Sequence, residues 1–274
     1  MSHPWMPESP CGLECLPPRD PGTEVGRLRL AVRLGCTVGL LLLGSAMVLG
    51  LPSPLRRRAV PRCFRMLLRA LGIRLEIHGA SAPGGALVVC NHVSWLDVVA
   101  LQVLTPMKVL AKVEVRSWPL LGALAGRVGT VYIDRDQLSA LPEAVSTIAD
   151  ELRAGAVVAT FPEGTTWCGA ASGTFRPAVF QAALDAGVRT QPVAVRFRDG
   201  DGNATAAAAF LGEESLVSSV LSVARVRDLV VEVVVLPELT ATDRRAMARE
   251  AQAGITRVTG ARLGHEETRE PVAA

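Results

Sequence analysis

The pattern of apolar and polar positions divides this chain into one long apolar segment and a following region of short alternating elements. Residues 34–51 are almost wholly apolar, and about 18 such residues is the lower limit for a helix that crosses a membrane. From residue 73 onwards, short runs rich in β-branched residues alternate with amphipathic helical stretches. This alternation predicts an α/β fold, a largely parallel mixed sheet flanked by helices, behind an N-terminal hydrophobic membrane-associated helix.

The same periodicities place seven strands and six helices in the second region. The predicted strands are 73–77, 87–90, 108–111, 130–133, 157–161, 191–197 and 230–236. The predicted helices are 95–103, 119–125, 138–152, 177–186, 214–223 and 243–262, with a further helix at 63–71 next to the apolar segment. We therefore divide the chain into a proline-rich disordered tail (1–25), a membrane anchor with a basic amphipathic helix (26–72), a main domain (73–263) and a polar disordered tail (264–274).

Arginine is concentrated on both sides of the apolar segment, more heavily on its C-terminal side. The basic window contains Arg56, Arg57, Arg58, Arg62, Arg65, Arg69 and Arg74. Near a membrane each such residue is attracted to anionic lipid headgroups by about 1 kcal/mol. The charge bias predicts a cell-membrane protein whose main domain is cytoplasmic. A shallow hairpin formed with helix 63–71, or a buried helix of a soluble protein, remains an alternative to one span. Aromatic residues make up only 4% of the chain, which argues against nucleic acid as a partner.

The six cysteines show neither a repeated C-x-x-C pair nor the spacing of a disulfide framework. Cys11 and Cys15 with His3 could bind a metal, but such a site needs a fourth ligand that this segment lacks. We therefore expect reduced thiols, no bound metal and no cofactor.

The stretch 91–97, Asn-His-Val-Ser-Trp-Leu-Asp, lies between a predicted strand and a predicted helix, where α/β proteins place their chemistry. Ser94 and Asp97 have the spacing of a capping box, which gives Asp97 a purely structural explanation. His92 lies in the loop, and an adjacent carboxylate would fix one ring nitrogen as donor and leave the other as a general base. No G-x-S-x-G elbow is present, so the nucleophile would be a hydroxyl of the substrate. A capped turn with an incidental histidine is the alternative.

Two further stretches have both an ordinary and a functional interpretation, and a third has only a structural one. Phe-Pro-Glu-Gly-Thr-Thr (161–166) follows a buried strand, and its glycine permits backbone amides to point at an anion. Gly-Thr-Val-Tyr-Ile-Asp-Arg (129–135) brings an arginine to the end of a strand, where it could bind a phosphate. Gln-Pro-Val-Ala-Val (191–195) is a core strand with proline near its start. Taken singly, each could equally be an ordinary turn, a surface charge or core.

In this order, the motifs resemble the four blocks of the glycerolipid acyltransferase family, which includes the 1-acylglycerol-3-phosphate acyltransferases. The blocks are Asn-His-x4-Asp, Gly-x-x-Tyr-Ile-x-Arg, Phe-Pro-Glu-Gly-Thr and the proline strand. The resemblance extends roughly from residue 71 to residue 236, so the domain at 73–263 would be an acyltransferase domain. It implies transfer of a fatty acyl group from acyl-CoA or acyl carrier protein to the hydroxyl of a lysolipid.

The resemblance also implies a role for individual residues. His92 would be the general base and Asp97 its orienting partner. Residues assigned to substrate binding are Gly129 and Arg135 for the acceptor phosphate, Glu163, Gly164 and Thr165 for the acceptor, Lys112 near the acyl channel, and Arg176. Many phosphatidate-forming members have an arginine directly after Phe-Pro-Glu-Gly-Thr, where this chain has Thr166. Arg176 is assigned to substrate binding because it could compensate for that missing arginine.

The leading function is therefore a membrane-associated O-acyltransferase that converts 1-acylglycerol-3-phosphate to phosphatidate. The spelling of the first and third blocks is closer to members that acylate other lysolipids, and lyso-ornithine lipid is the alternative acceptor. A non-catalytic lipid-binding protein of the same fold is an alternative of a different class. Nucleophilic hydrolase chemistry fits poorly, because no activated serine or cysteine is evident.

Overall fold

The computed structural model describes residues 9–18, 22–80, 84–112, 126, 130–133, 141–212 and 214–264. The helices are α1 (Arg27–Gly50), α2 (Ser53–Ala70), α3 (Trp95–Leu104), α4 (Leu141–Arg153), α5 (Ala178–Ala186), α6 (Leu216–Arg225) and α7 (Arg244–Thr259), with a 3-10 turn at Leu13–Cys15. The strands are β1 (Arg74–His78), β2 (Ala86–Cys90), β3 (Lys108–Lys112), β4 (Val131–Ile133), β5 (Val157–Thr160), β6 (Ala171–Ser172), β7 (Arg189–Arg198), β8 (Val230–Val235) and β9 (Arg262–Leu263).

Seven strands form one twisted sheet in the order β1-β8-β7-β2-β5-β3-β4. Only the β7–β8 pair is antiparallel among the ladders of this sheet in the described part of the chain. The mixed, largely parallel sheet predicted from the sequence is thus confirmed, with strand ends shifted by at most two residues. The predicted helix 119–125 lies outside the described residues. The small β6–β9 pair was not predicted, because two residues carry no periodicity.

Helices cover both faces of the sheet, as expected for strands that are apolar on both sides. Helices α2, α3 and α6 pack on one face, and α4, α5 and α7 pack on the other. Strand β2 lies at the centre, and all five of its residues are buried. Because β5 and β7 run parallel to β2 on either side, the loops that follow these strands meet at one edge of the sheet.

Helices α1 and α2 form a helical hairpin, joined by Leu51 and Pro52 and packed along each other. Near the start of α1, the Arg33 guanidinium donates to the backbone oxygens of Ala224 and Val226 at 2.9 and 2.8 Å, which ties the helix to the domain. Towards its C-terminal half α1 exposes a run of leucines, 41–43. Within the described residues, α1 is the one helix long and apolar enough to cross a membrane.

Part of the segment expected to be a disordered tail packs against the domain. Cys11 and Val25 are buried, and the Val25 N–H donates to the Arg225 oxygen at 2.9 Å. Prolines favoured the interpretation as a tail, but apolar contacts from Cys11 and Leu16 to the core order residues 11–16 instead. Residues 1–8, 19–21 and 265–274 lie outside the described part.

Candidate active site

Asn91 holds the loop after β2 against the neighbouring strand β7. Its side-chain amide donates to the Val195 oxygen at 2.8 Å and accepts from the Val195 N–H at 2.9 Å. The amide thereby imitates one more backbone position of the parallel ladder, beyond the last residue of β2. The loop that follows starts from a fixed point at the carboxyl edge of the sheet.

The next residues bring a histidine and a carboxylate together. His92 Nδ1 lies 3.0 Å from Asp97 Oδ2, which also accepts the N–H groups of Val93 and Ser94 at 2.7 and 2.8 Å. Ser94 caps α3 by accepting from the Leu96 N–H, so the predicted capping box is confirmed. Asp97 is fully buried, whereas 19% of the His92 side chain is exposed. The tautomer of His92 with its proton on Nδ1 pairs that N–H with the Asp97 carboxylate and leaves Nε2 as an acceptor.

Glu163 supports the same loop from the loop that follows the neighbouring strand β5. One carboxylate oxygen accepts the backbone N–H of His92 at 2.5 Å, and the other accepts that of Gly173 at 3.0 Å. Burial raises the pKa of Glu163 to about 7; hydrogen bonds from His92, Ser172 and Gly173 counteract this, and the Asp97 carboxylate adds to it. Glu163 therefore fixes the main chain of the histidine rather than its ring.

The remainder of the loop after β5 encloses the histidine. The Phe161 ring stacks on the His92 imidazole, with ring centroids 4.0 Å apart. The backbone N–H of Trp167 donates to the backbone oxygen of His92 at 2.8 Å. Gly164 turns the chain with a φ of +77°, a conformation that favours glycine, and its N–H donates to the Phe161 oxygen. The ring is thus held through Nδ1 and one face, and its main chain through both N–H and C=O.

The fold and this geometry can be compared with known proteins. A family model described as Acyltransferase matches residues 74–196. A lyso-ornithine lipid O-acyltransferase from Pseudomonas aeruginosa is 35% identical over 244 residues, which cover 84% of this chain and 93% of that protein. The chain belongs to the acyltransferase family.

Other relatives of this acyltransferase bear different acceptor names. A 1-acyl-sn-glycerol-3-phosphate acyltransferase from Neisseria meningitidis is 40% identical over 154 residues, covering 55% of this chain and 60% of that protein. The crystal structure of a 1-acyl-sn-glycerophosphate acyltransferase from Thermotoga maritima has the same fold, with a TM-score of 0.64 at 14% identity, covering 85% of this chain and 96% of that one. The chain is an acyltransferase of the lysolipid and glycerolipid class, as the order of its motifs predicted.

The acyltransferase structure brings some of the predicted site residues together. His92, Asp97 and Glu163 form one cluster, while Gly164 and Thr165 lie half-buried in the adjoining turn. Arg176 is half-buried, and its backbone N–H donates to the Pro162 oxygen at 3.0 Å. Lys112 is the last residue of β3. Gly129 and Arg135 lie outside the described residues, so their predicted part in acceptor binding stays a prediction.

Two supporting residues of this site were not assigned from the sequence. Asn91 was recognised only as part of a motif, and its pairing with Val195 depends on which strand lies beside β2. Phe161 was assigned to a strand, and its stacking on His92 follows from the β2–β5 register, which pairs Val89 with Thr160. Only a correct strand order would have revealed either contact.

The raised pKa of Glu163 predicts a pH-dependent stability. Between its ordinary value of 4.5 and about 7, the folded protein retains a proton that the unfolded chain releases. The free energy of unfolding should therefore fall as pH rises through this range, by on the order of 3 kcal/mol from this group. Glu163→Gln should lack that fall, because the amide does not titrate.

The measurement is denaturant unfolding of both proteins in detergent at pH 5 and pH 7.5. The matched control is Glu143→Gln, which removes an exposed carboxylate on α4 and should follow the wild type at both pH values. Parallel pH curves for the wild type and Glu163→Gln would show that Glu163 is ionised throughout in the folded protein.

Proposed function

We propose that this acyltransferase moves a fatty acyl group from a thioester to the hydroxyl of a lysolipid, with His92 as general base. The observation that carries the proposal is the 3.0 Å contact between His92 Nδ1 and the fully buried Asp97 carboxylate. That carboxylate accepts two backbone N–H groups besides the ring, so its position is fixed before substrate binds. A preoriented base at the carboxyl edge of the sheet suits attack by a substrate hydroxyl.

The reaction follows from the state of the ring. His92 Nε2 takes the proton of the lysolipid hydroxyl as its oxygen attacks the thioester carbonyl, and the resulting imidazolium is stabilised by Asp97. The tetrahedral intermediate then collapses, the carbon–sulfur bond breaks, and the thiolate leaves with the proton returned by His92. The products are a diacyl lipid and a free thiol. Asp97 stabilises the imidazolium without taking its proton, and Glu163 keeps the main chain of His92 in place.

Lyso-ornithine lipid is the acceptor that we place first, ahead of 1-acylglycerol-3-phosphate. The Pseudomonas aeruginosa relative with that activity in its name aligns over 93% of its length, against 60% for the Neisseria meningitidis phosphatidate-forming relative. In addition, Thr166 stands where many phosphatidate-forming enzymes have arginine, and its hydroxyl donates to the Phe210 oxygen at 2.5 Å. Both acceptors carry a hydroxyl and an anionic group. Arg135 and Gly129, together with Arg176, are the proposed contacts for that anionic group.

The hairpin of α1 and α2 supports a reaction at a membrane surface. Arg58, Arg62, Arg65 and Arg69 recur at helical spacing on α2 and are exposed. Such a face attracts anionic headgroups, while the exposed leucines of α1 suit the apolar interior. The greater arginine content after α1 supports a domain on the cytoplasmic side, where acyl-CoA and acyl carrier protein are available.

One assay tests the activity, the acceptor and the sidedness. Sealed inside-out membrane vesicles that contain the protein receive acyl-CoA or acyl carrier protein thioester with lyso-ornithine lipid, 1-acylglycerol-3-phosphate or no acceptor. We expect thiol release matched by diacyl product in mass spectrometry, with the higher kcat/KM for lyso-ornithine lipid. Release that requires detergent would contradict the cytoplasmic placement. Product from the phosphate lipid alone would reverse the order of acceptors, and no thiol release with any lysolipid would favour a lipid-binding protein.

A further inference from the structure

Three cysteine sulfurs that the acyl-transfer mechanism does not use lie together beside the active-site loop. The Sγ atoms of Cys11, Cys15 and Cys168 all lie within 4.8 Å of one another. Cys15 ends the 3-10 turn near the N-terminus, and Cys168 lies in the loop that follows β5. Cys11 and Cys168 are buried, and Cys15 is half-buried. The N-terminal segment and the active-site loop therefore meet through three thiols.

The spacing suits a thiolate-rich metal centre. Zn²⁺ binds cysteine sulfur at about 2.3 Å in a tetrahedron, so its sulfur ligands lie roughly 3.8 Å apart. Shifts of less than about 1 Å would bring these sulfurs from their present separation to that value. Two of them come from a C-x3-C pair, which is within the usual ligand spacing of structural zinc sites. The half-buried position of Cys15 leaves one side of the cluster accessible to water as a fourth ligand.

The chain turns directly after Cys168. Gly169 has a φ of +87°, a conformation that favours glycine. With this turn, the sulfur of Cys168 lies within 4.8 Å of the sulfurs of Cys11 and Cys15, so the three possible ligand atoms face one another.

We propose that Cys11, Cys15 and Cys168 bind Zn²⁺ and so fasten the N-terminal segment to the loop that supports His92. The neighbour of Cys168 in sequence is Trp167, whose backbone N–H donates to the backbone oxygen of His92 at 2.8 Å. A metal ion bound here anchors that loop without taking part in the acyl transfer. The proposal departs from our expectation of six metal-free thiols, because Cys168, which is remote in sequence, adds a third sulfur to those of Cys11 and Cys15.

The test uses the full-length protein, purified in detergent with a thiol reductant and without added chelator. Metal content is measured by mass spectrometry for the wild type and for Cys11→Ser, Cys15→Ser and Cys168→Ser. The control is Cys36→Ser, which replaces an exposed cysteine on α1. We expect about one Zn²⁺ per chain in the wild type and the control. Each variant of the cluster should bind at least about tenfold more weakly.

A second measurement guards against misfolding of the buried variants. Cys15→Ser changes a half-buried residue and should keep the circular dichroism spectrum of the wild type. In the wild type, Co²⁺ in place of Zn²⁺ should produce sulfur-to-metal charge-transfer absorption, which Cys15→Ser should weaken. Metal-free wild-type protein, zinc retained in all three variants, or a disulfide among these cysteines in peptide mass spectra would overturn the proposal. None of these outcomes depends on catalytic activity.

Discussion

Replacing His92 with alanine is expected to lower kcat for acyl transfer by about 10²- to 10⁴-fold, the usual contribution of a general base. The variant removes Nε2, which we propose takes the proton of the acceptor hydroxyl. Its main chain should stay in place, because Glu163 and Trp167 bind the backbone of residue 92 rather than the ring. Thiol release from acyl-CoA in the presence of lysolipid measures the effect, and circular dichroism verifies the fold.

A second histidine of the chain provides the matched control. His78 lies at the end of β1, 56% of its side chain is exposed, and its Nε2 contacts Glu232 at 3.2 Å, away from the loop at the carboxyl edge of β2. His78→Ala should therefore keep near wild-type turnover. If His92→Ala also turned over every accepted lysolipid at nearly the wild-type rate, the assignment of the base would be untenable.

The features that could be predicted from the sequence are those determined by neighbours along the chain. The helix cap at Ser94 and the contact of His92 with Asp97 involve residues at most five positions apart. Their spacing indicated the cap, whereas the contact of the histidine was one of two interpretations until the order of the motifs favoured it. The strands were predictable from apolar runs, because nearly every strand of a parallel sheet is buried on both faces.

Features that depend on strand order were not accessible in the same way. The carboxylate of Glu163 was expected to contribute to acceptor binding, yet both of its oxygens accept backbone N–H groups and its exposed fraction is 3%. That geometry follows from β5 lying next to β2, which places Glu163 under the loop that carries His92. The meeting of Cys168 with Cys11 has the same origin, since it joins segments that are distant in sequence.

The burial of Glu163 and Asp97 also bears on the electrostatics of the site. Two carboxyl groups close to one buried loop repel each other when both are ionised, and this repulsion contributes to the raised pKa of Glu163. Asp97 accepts two backbone N–H groups and contacts the imidazole of His92, all through one oxygen. The pair thus divides into one carboxylate that contacts the imidazole of His92 and one group that supports the main chain of His92.

Asp97→Asn is the second change with a large expected effect, a loss of about 10²- to 10⁴-fold in kcat, because the amide carries no charge to stabilise the imidazolium that forms when His92 takes a proton. Asp97 Oδ2 accepts the N–H groups of Val93 and Ser94 and also contacts His92 Nδ1, so an amide oxygen in its place keeps these three contacts. The variant therefore removes the negative charge beside the ring and leaves the arrangement of the loop in place. Asp150→Asn, which alters an exposed carboxylate on α4, is the control and should leave kcat unchanged.

The double variant separates an orienting role from a merely structural one. If Asp97 acts through His92, adding Asp97→Asn to His92→Ala should cost little further activity, because groups that work as a unit are strongly non-additive. Asp97→Asn should also lower the free energy of unfolding, by about 1.5–3 kcal/mol, since it weakens charge-assisted hydrogen bonds in the capping box. That loss should be the same with and without His92. If Asp97→Asn lowered kcat by the same factor with and without His92, Asp97 would act independently of His92 and the orienting role would be untenable.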